Sequence, residues 1–460
     1  MQSKTCDLNL STYTKEFKKN MSIAFPIMMG QLGNVIVNIA DNIMVGELGA
    51  APLAAVSLAN SVVFVAMSLG IGFSLGITPL VAESDGANDT QKGKGYFQNG
   101  VFMCMALGTF LFLGLLLIEP VLYHLDQPDE VIALAIPYYR IITFSIFPLM
   151  LFQAYKQFAD GLSLTRYGMR ATLWANVVNI ACNYLLIYGI WIFPELGIIG
   201  AGYGTLISRF FMLAMLIYLF RNRDKFAAYR GDFGLKILDK TVLKKIVSIG
   251  LPTSLQMLFE VAVFASGVLL SGVLGTIPQA SNQIALNLAS MTYMVAVGLG
   301  VTATIRVGNQ KGLKDFVSLR NIAFSIFLLM ILIDVVFAVL FMVFNDTLPL
   351  FYIDDPAVTA LAAQLLIIAA LFQLSDGLQS VVLGALRGLQ DVTKPMYLTF
   401  IAYWVIGFPC CYYLGLKTEL KSTGIWLGLL IGLTASAVML MYRFNKLSNN
   451  LIQNKKHELT

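Results

Sequence analysis

Long apolar runs, separated by short polar segments, extend along almost the whole chain. Each run has roughly the 20 residues that an α-helix needs to cross the hydrocarbon core of a bilayer. The runs are continuous, whereas the strands of a membrane barrel alternate between polar and apolar residues. They predict twelve membrane-spanning helices, at 21–46, 54–80, 96–118, 131–156, 169–190, 198–220, 245–272, 279–305, 318–344, 357–385, 395–414 and 423–443.

The composition agrees with this pattern and excludes a soluble protein. Of the 460 residues, 57% are apolar and 12% are charged. That charged fraction is about half of what a soluble domain carries. A soluble globule of this length needs a polar surface that this chain cannot supply. We therefore expect an all-α polytopic membrane protein.

The basic residues fall almost entirely on one side of the predicted helices. Of the 31 Lys and Arg residues, 27 lie in the N-terminal segment, the C-terminal tail or the loops of the same side. Lys417 and Lys421 lie on the other side, and Arg140 and Arg209 fall within helices. Cytoplasmic loops are enriched in Lys and Arg, so both termini and the central basic loop are expected in the cytoplasm. Because the basic residues lie in loops and form no stripe, no nucleic-acid partner is expected.

The two halves of the chain resemble each other at a constant spacing of 226 residues. Pro26 matches Pro252, and the Gly and Pro residues that follow keep this spacing through a helical hairpin. Chance similarity between apolar helices would not preserve those positions. Each half has an even number of helices, which predicts two six-helix bundles related by a pseudo-twofold axis along the membrane normal, as in many transporters. The predicted segments are the cytoplasmic segment 1–20, the bundles 21–220 and 245–443, the linker 221–244 and the cytoplasmic tail 444–460.

Cysteine and histidine form no recognisable site. The five Cys residues include no CxxC pair, and the two His residues, His124 and His457, lie in a loop and in the tail. No zinc site, haem site or other cofactor is therefore expected. An integral membrane transferase would need positioned His, paired Asp or metal ligands. This enzyme alternative is less favoured than transport.

A carboxylate and several amides predict a polar site in the first bundle. Asp41 falls within a predicted helix, where a charge costs about 2.5–3.5 kcal/mol, and shares one helix face with Asn34 and Asn38. We favour a functional role over simple pairing at the outer interface. The fifth helix carries Asn179 and Asn183 on one face, where they either bond to neighbouring helices or belong to the site.

Two more acidic residues predict a cation site in the second bundle. Glu260 and Asp376 fall near the middle of their helices, and Asp376 is accompanied by Gln373 and Ser375. Two carboxylates with amide and hydroxyl oxygens suit a hard cation or a proton relay. Asp334 is isolated among aliphatic residues, and we interpret it as a lipid-boundary or structural residue.

Prolines at equivalent places in the first helix of each half predict moving parts. Pro26 and Pro252 each free a backbone carbonyl and permit a bend within the helix. Pro26 precedes Asp41 on the same helix, so we expect it to act as a hinge.

Taken in order, these features resemble the multidrug and toxic compound extrusion (MATE) family, in particular its bacterial NorM-like branch. The resemblance covers 18–443. No single motif is decisive, and the resemblance depends on the order of the motifs within a duplicated twelve-helix chain. The residues that carry it are Pro26, Asp41, Asn179, Ile180, Ala181, Cys182, Asn183, Tyr184, Gly250, Leu251, Pro252, Glu260, Asp376, Gly384, Ala385, Leu386, Arg387 and Gly388.

The resemblance implies a cation-coupled multidrug antiporter of the bacterial inner membrane. It would export cationic amphipathic compounds in exchange for Na⁺ or H⁺ by alternating access. The expected partners are those small molecules and the lipid bilayer, and the protein is expected to act as a monomer.

The resemblance also assigns site residues. Glu260 and Asp376 are expected to bind the coupling cation as metal ligands, with Asp41 tied to protonation or to substrate. Phe372 stands where some family members have Tyr, so a hydroxyl ligand is lost there. The expected polar support is Asn34, Asn38, Asn179 and Asn183, and the expected substrate contacts are Asp41, Asp354, Asp355, Ser61, Gln283 and Phe372.

A flippase of related fold for lipid-linked saccharides is the remaining alternative. Its cleft should be basic in order to bind pyrophosphate. Away from the helix ends, only Arg140 and Arg209 lie within predicted helices, so this alternative is less favoured.

Overall fold

A computed structural model describes residues 13–124, 127–231 and 238–459. Every regular element in those residues is helical. The α-helices are α1 (Phe17–Gly46), α2 (Ala50–Ser74), α3 (Ile77–Gly86), α4 (Thr90–Leu122), α5 (Asp129–Phe144), α6 (Ile146–Gly161), α7 (Thr165–Ile187), α8 (Ile198–Asn222), α9 (Lys240–Val273), α10 (Thr276–Gly312), α11 (Phe316–Val343), α12 (Pro356–Gly388), α13 (Thr393–Phe400), α14 (Phe408–Leu416) and α15 (Lys421–Leu459). Two 3₁₀ turns, Asp224–Tyr229 and Leu348–Phe351, and a π-helical segment, Ile401–Gly407, complete the elements.

The predicted membrane-spanning helices coincide with these elements. In the described residues, 11 stretches are long and apolar enough to cross a membrane, with α2 and α3, α5 and α6, and α13 and α14 each counted together. The remaining predicted helix is α7, which has 23 residues but is more polar. Its polar residues include Arg166, Arg170, Asn176, Asn179 and Asn183. The all-α polytopic fold is confirmed, and the helix with the weakest apolar signal is the one that carries the asparagines.

The π-helical segment places a tyrosine against α12. Pro409 has no N–H, and its ring would crowd the carbonyl of Val405 in a regular helix. The wider π turn just before Pro409 relieves this conflict, and such turns often occur at functional sites. Tyr403, within the segment, is buried and accepts a hydrogen bond at its hydroxyl from Gln379 Nε2 of α12.

The chain divides into two compact units whose boundaries lie inside α1 and α9. One unit is Met29–Val261, and the other combines the residues before Met29 with those from Ala262 onward. The predicted bundles 21–220 and 245–443 divide the duplicated sequence at the central linker instead, and those bounds stay a prediction. The predicted segment 1–20 and linker 221–244 are described only in part, since residues 1–12 and 232–237 lie outside the described residues.

Hydrogen bonds explain why the start of α1 belongs with the residues after Ala262. Arg306 of α10 is buried and donates to Asn20 Oδ1 at 2.6 Å and to Glu16 Oε2 at 2.8 Å. Asn20 Nδ2 in turn donates to Ser325 Oγ of α11 at 3.1 Å. Bonds to a buried guanidinium are among the stronger ones in proteins, so they hold these first turns in that unit.

The start of α9 is held in the Met29–Val261 unit by close helix packing. Ser254 Oγ donates to the carbonyl of Leu69 at 2.7 Å. A Cβ at Gly72 would lie 2.8 Å from Ser254 Cα, so only glycine allows α2 to approach this closely. Lys245 Nζ lies 3.8 Å from Glu83 Oε2 and adds a partly exposed ion pair.

The two halves repeat the same anchoring contact at the predicted spacing of 226 residues. The backbone N–H of Asp239 donates to Asn99 Oδ1 at 3.1 Å, just before α9. Ser325 Oγ donates to the carbonyl of Tyr13 at 2.7 Å, just before α1. In each contact, a polar side chain of the third long helix of one half thus bonds to the peptide that leads into the first helix of the other half.

The predicted C-terminal tail continues the last helix. With 39 residues, α15 is about 58 Å long, whereas the hydrocarbon core measures about 30 Å. Arg320 of α11 donates to Asn445 Oδ1 at 2.6 Å and to Ser448 Oγ at 2.7 Å. Residues from 444 onward are therefore part of a helix that is bonded to its own unit.

Candidate functional site

Asp41 and Asn183 form the polar centre of the Met29–Val261 unit. Asn183 Nδ2 on α7 donates to Asp41 Oδ1 on α1 at 2.6 Å, and lies 3.4 Å from Asn179 Oδ1 one turn earlier. Both asparagines are buried. Gly204 of α8 makes this placement possible, because a Cβ at residue 204 would overlap Asn183 Oδ1. The structure thus brings together three predicted site residues, Asp41, Asn179 and Asn183.

The oxygen atoms of this pair are suited to a positive charge. In the described part of the chain, Asn183 Oδ1 is buried and has no hydrogen-bond partner. No ion pair of Asp41 with a basic side chain occurs among the described residues. Carboxylate and amide oxygens accept hydrogen bonds from an ammonium group and are ligands for hard cations.

The other predicted asparagines of α1 lie apart from this pair. Asn34 and Asn38 are exposed, and Asn34 Nδ2 lies 3.5 Å from Gln31 Oε1. Within the described residues, neither asparagine is hydrogen-bonded to Asp41. Their predicted supporting role has no counterpart in the contacts of this structure.

Asp376 lies on α12 in the other unit, beside an aromatic and amide cluster. It is buried, as is Phe372 one turn earlier. The ring of Phe372 packs edge-on against Trp426 of α15, with centroids 5.4 Å apart. Trp426 Nε1 donates to Asn282 Oδ1 of α10 at 2.9 Å. Three helices therefore position the surroundings of Asp376.

Gln373 adds an amide to the same part of α12. Its side chain is 3% exposed, and neither its nitrogen nor its oxygen has a hydrogen-bond partner among the described residues. Buried polar groups are almost always bonded, so orphaned ones indicate an ion or water. Together with the Asp376 carboxylate, the Gln373 oxygen provides ligands that fit a hard cation. No cluster of three or more His, Cys, Asp or Glu side chains suited to a metal occurs in residues 13–124, 127–231 and 238–459.

Glu260 lies on α9, at the end of the Met29–Val261 unit, and is half-buried. Asp376 belongs to the other unit. The predicted pairing of Glu260 with Asp376 therefore stays a prediction.

The predicted substrate contacts have local partners. Asp355 caps α12, since its carboxylate accepts from the backbone N–H of Ala357 at 2.8 Å, and Asp354 is exposed beside it. Ser61 is exposed on α2 and lines a groove of about 590 Å³ whose other lining residues are apolar. Gln283 is exposed on α10. Their predicted role in substrate binding stays a prediction.

Pro26 lies inside the continuous helix α1, two residues before the boundary between the compact units. It is buried and provides no N–H to the carbonyl of Ser22. The hydroxyl of Ser22 donates to the Lys19 carbonyl at 2.8 Å. The missing backbone bond makes this turn of α1 easier to bend than its neighbours.

A buried ion pair was not singled out from the sequence, whereas Arg209, which was, is half-buried. Asp160 of α6 is fully buried and pairs with Lys156 Nζ at 2.7 Å. Their spacing of four residues, typical of a helical ion pair, is the signal that could have identified them. Arg209 of α8 donates to Ser145 Oγ at 2.6 Å and has no ion pair among the described residues.

Asp334 fits the structural alternative of its interpretation rather than the lipid-boundary one. It is 2% exposed and packs against Gly377 of α12, so it lies inside its unit. The apolar neighbours in sequence gave no indication of this, because the contact depends on a glycine of another helix.

Comparison with known proteins identifies the family. The MatE family model matches residues 26–185 and 252–413. The two matches begin at Pro26 and Pro252, which reproduces the spacing of the internal repeat.

Full-length relatives agree with this match. The chain is 34% identical to the probable multidrug resistance protein NorM of Rhizobium meliloti, over 97% of this chain and 98% of the relative. It is 31% identical to the multidrug resistance protein NorM of Photobacterium profundum, over 94% and 96% of the two chains.

Solved structures share the fold. The eukaryotic MATE transporter AtDTX14 superposes with a TM-score of 0.86 at 19% identity, covering 96% of this chain and 99% of that one. A MATE structure in the bent conformation superposes with a TM-score of 0.87 at 21% identity, covering 99% and 100%. With two family-model matches and full-length relatives above 30% identity, the chain belongs to the MATE family of membrane transporters.

Proposed function

We propose that this transporter is a multidrug efflux antiporter. It exports cationic amphipathic compounds in exchange for Na⁺ or H⁺, across the bacterial inner membrane, with both termini in the cytoplasm. The observation that carries the proposal is the Asp41–Asn183 pair, a carboxylate within a membrane-spanning helix that is bonded to an amide. The names of the bacterial relatives, which are multidrug resistance proteins, support the export of drugs.

Competition for one negative charge explains exchange at Asp41. A carboxylate within the membrane is costly to leave charged and unneutralised. A cationic drug, a sodium ion or a proton can each neutralise it, but they cannot do so together. If drug and coupling ion bind the carboxylate in alternating conformations, the inward movement of one drives the outward movement of the other.

Glu260 and Asp376 are also proposed to act in cation coupling. Asp376 and Gln373 carry buried side-chain oxygens on α12, and Glu260 carries a half-buried carboxylate on α9. Phe372 is 2% exposed, so its ring reaches a substrate only after the helices around it rearrange. Asp354 and Asp355 are exposed carboxylates that attract cations before they bind.

Pro26 is the proposed hinge for alternating access. It lies beside the point in α1 where one compact unit ends and the other begins. Among the similar structures, MATE is described in a bent and in a straight conformation, which supports a bending helix. Each cation that moves inward under a potential of 100 mV contributes about 2.3 kcal/mol to this cycle.

Dye uptake into everted membrane vesicles tests the proposal, because export from the cytoplasm becomes uptake when the cytoplasmic face is outside. Vesicles that contain the full chain receive a cationic fluorescent dye in the medium and a gradient of Na⁺ or of protons that is high in the lumen. We expect Asp41→Asn, Glu260→Gln and Asp376→Asn to abolish gradient-driven dye transport, because each removes a negative charge but preserves the side-chain shape.

The matched control is Asp346→Asn, which removes an exposed carboxylate from a loop. It should transport dye as the wild-type protein does. Equal amounts of each variant in the membrane exclude a folding defect. The proposal is contradicted if the single variants Asp41→Asn and Asp376→Asn both transport dye as the wild-type protein does. It is also contradicted if the wild-type protein responds to neither gradient.

A further inference from the structure

Asp334 holds a carboxylate against the bare backbone of a neighbouring helix. It lies in α11, and its side chain is almost completely buried. A Cβ at Gly377 of α12 would overlap Asp334 Oδ2 and would lie 2.8 Å from Met330 Cε. The carboxylate therefore occupies the space that a side chain of residue 377 would fill.

This carboxylate has no partner to stabilise a negative charge. Asp334 Oδ2 is buried without a hydrogen bond, and Asp334 forms no ion pair within the described residues. Gln373 lies one turn before Gly377 on the same face of α12, and both of its amide atoms also lack partners there. The described residues thus provide no hydrogen bond to Asp334 Oδ2 on α11 or to the Gln373 amide on α12.

The surrounding helices bring no positive charge to this level. Helices α10, α12 and α15 pack against α11. The first turns of α1 also contact it, through the bond from Asn20 to Ser325, and their basic residues Lys18 and Lys19 lie at that level, more than two turns from Asp334. At the level of Gly377, the titratable side chains that they carry in the described residues are Asp376 and Tyr293, an acid and a neutral phenol. The basic residues of these helices and of α11 lie toward the helix ends and include Arg306, Lys311, Arg320, Arg387, Lys421, Arg443, Lys446, Lys455 and Lys456.

The physical chemistry of this place favours a proton as the ligand. An isolated carboxylate in an apolar interior becomes protonated because burial penalises the charged form. A hard metal cation would need about six oxygen ligands, and α11 offers one carboxylate. A protonated carboxyl, in contrast, is neutral and needs no charged partner in an apolar interior.

We infer that Asp334 is a proton-binding site of the transport cycle, separate from Asp376. The inference rests on the proposed antiport function and assigns one of its protons. In the described conformation Asp334 is the neutral acid. In another conformation the O–H bond breaks, the electron pair stays on the carboxylate, and the proton passes to water.

A groove lies beside α11, although Asp334 is not among its lining residues. It measures about 450 Å³, and its lining includes Ile331, one turn before Asp334, and Leu374, one turn before Gly377. Ser375 and Thr434 are the polar groups of this lining, with their hydroxyl oxygens 2.8 Å apart. Hydroxyl groups can accept and donate protons, so this groove is the proposed side on which the proton leaves.

Infrared difference spectroscopy of the purified full-length protein tests whether Asp334 carries a proton. A protonated carboxyl has a C=O stretching band that a carboxylate lacks. We expect this band in the wild-type protein at neutral pH, its loss in Asp334→Asn, and its persistence in the matched control Asp346→Asn. Addition of a cationic dye should decrease the wild-type band, because the acid releases its proton when the transporter changes conformation.

Transport in vesicles tests whether that proton is used. We expect Asp334→Asn to lose dye efflux driven by a pH gradient while binding dye with wild-type affinity. A band that is unchanged in Asp334→Asn overturns the inference, as does a band that does not respond to dye. Wild-type efflux by Asp334→Asn under the pH gradient, or a wild-type protein driven by Na⁺ alone, also overturns it. If the wild-type protein transports no dye under either gradient, the proposed function fails, and the infrared band still decides whether Asp334 is protonated.

Discussion

Each compact unit seats a polar oxygen against a glycine of a neighbouring helix, but the two oxygens have different surroundings. Asn183 Oδ1 lies against Gly204, and the nitrogen of the same amide donates to Asp41. Asp334 Oδ2 lies against Gly377, and no described residue donates to it. An amide donor stabilises a carboxylate in its charged form, whereas burial without a donor favours the neutral acid.

The difference shows that the two halves of a duplicated chain can place carboxylates in different electrostatic surroundings. The anchoring contacts Asn99–Asp239 and Ser325–Tyr13 keep the spacing of the repeat. The residue that corresponds to Asp334 at that spacing is Gly108, so the acid occurs in the second half alone. The shared scaffold is thus retained while the charged residues diverge.

The largest expected effect on stability comes from filling the glycine positions. Gly377→Ala should destabilise the protein by about 1–3 kcal/mol, because the added methyl group overlaps the Asp334 carboxylate. The double variant Gly377→Ala/Asp334→Ala should recover much of that loss. Thermal unfolding in detergent measures both.

Gly204→Ala and Gly204→Ala/Asn183→Ala form the matched pair in the other unit. Stability should recover in the double variant, but dye efflux should not, because Asp41 has lost its donor. Each double variant should be more stable than the matching single variant, Gly377→Ala or Gly204→Ala. If it is not, the described contact between the glycine and the neighbouring oxygen is contradicted.

The next effects are expected at the ion pairs that hold the first turns of α1 and α9, where Arg306 should matter about as much as the glycines and Lys245 less. Arg306→Met removes a buried guanidinium that donates to Asn20 and Glu16, and should cost about 1.5–3 kcal/mol. Lys245→Met removes a partly exposed partner of Glu83 at 3.8 Å and should cost less than about 1 kcal/mol. Thermal unfolding at low and at high salt measures the stability of both variants. Equal losses of stability would contradict the expectation that the buried Arg306 contributes more than the partly exposed Lys245.

The smallest effect is expected at two helix caps that the repeat has preserved. Asp89 accepts from the backbone N–H of Lys92 at 3.0 Å, and Asp315 accepts from that of Ser318 at 3.1 Å, in equivalent positions of the two halves. Replacement of either by Ala should cost about 1 kcal/mol.

The cap at Asp315 should also be sensitive to acid. Partial burial opposes ionisation of Asp315, but the hydrogen bonds from Ser318 outweigh it and hold the pKa of the carboxyl below its usual value. The folded state therefore binds its proton less readily than the unfolded chain. The contribution of the cap should be complete above about pH 4 and should decrease as the pH falls through the lowered pKa. The free energies of unfolding of the wild-type protein and Asp315→Ala, measured at a series of pH values, check this. A difference in stability between the two that grows as the pH falls would contradict the prediction.

Much of the fold and part of the site followed from the sequence. The apolar runs predicted every membrane helix, because the need for hydrocarbon is recorded in each stretch of about 20 residues. Asp41 and Asn183 could be named because polar residues in apolar helices are conspicuous, but their bond could not, since 142 residues separate them. Asp334 could be named, but the choice between a lipid-boundary and a structural position could not be made, because its burial depends on which helix covers it.

What the sequence determined by itself is the membrane environment, the twelve helices, the internal repeat and the small set of ionisable residues inside the helices. These are properties of composition and of spacing along one chain. Only the tertiary structure decided which of these residues meet. Gly204 and Gly377 allow a neighbouring oxygen to reach the helix backbone, and such close approach depends on how helices pack. Whether a buried acid finds an amide donor, as Asp41 does, or none, as at Asp334 Oδ2, is likewise a matter of packing.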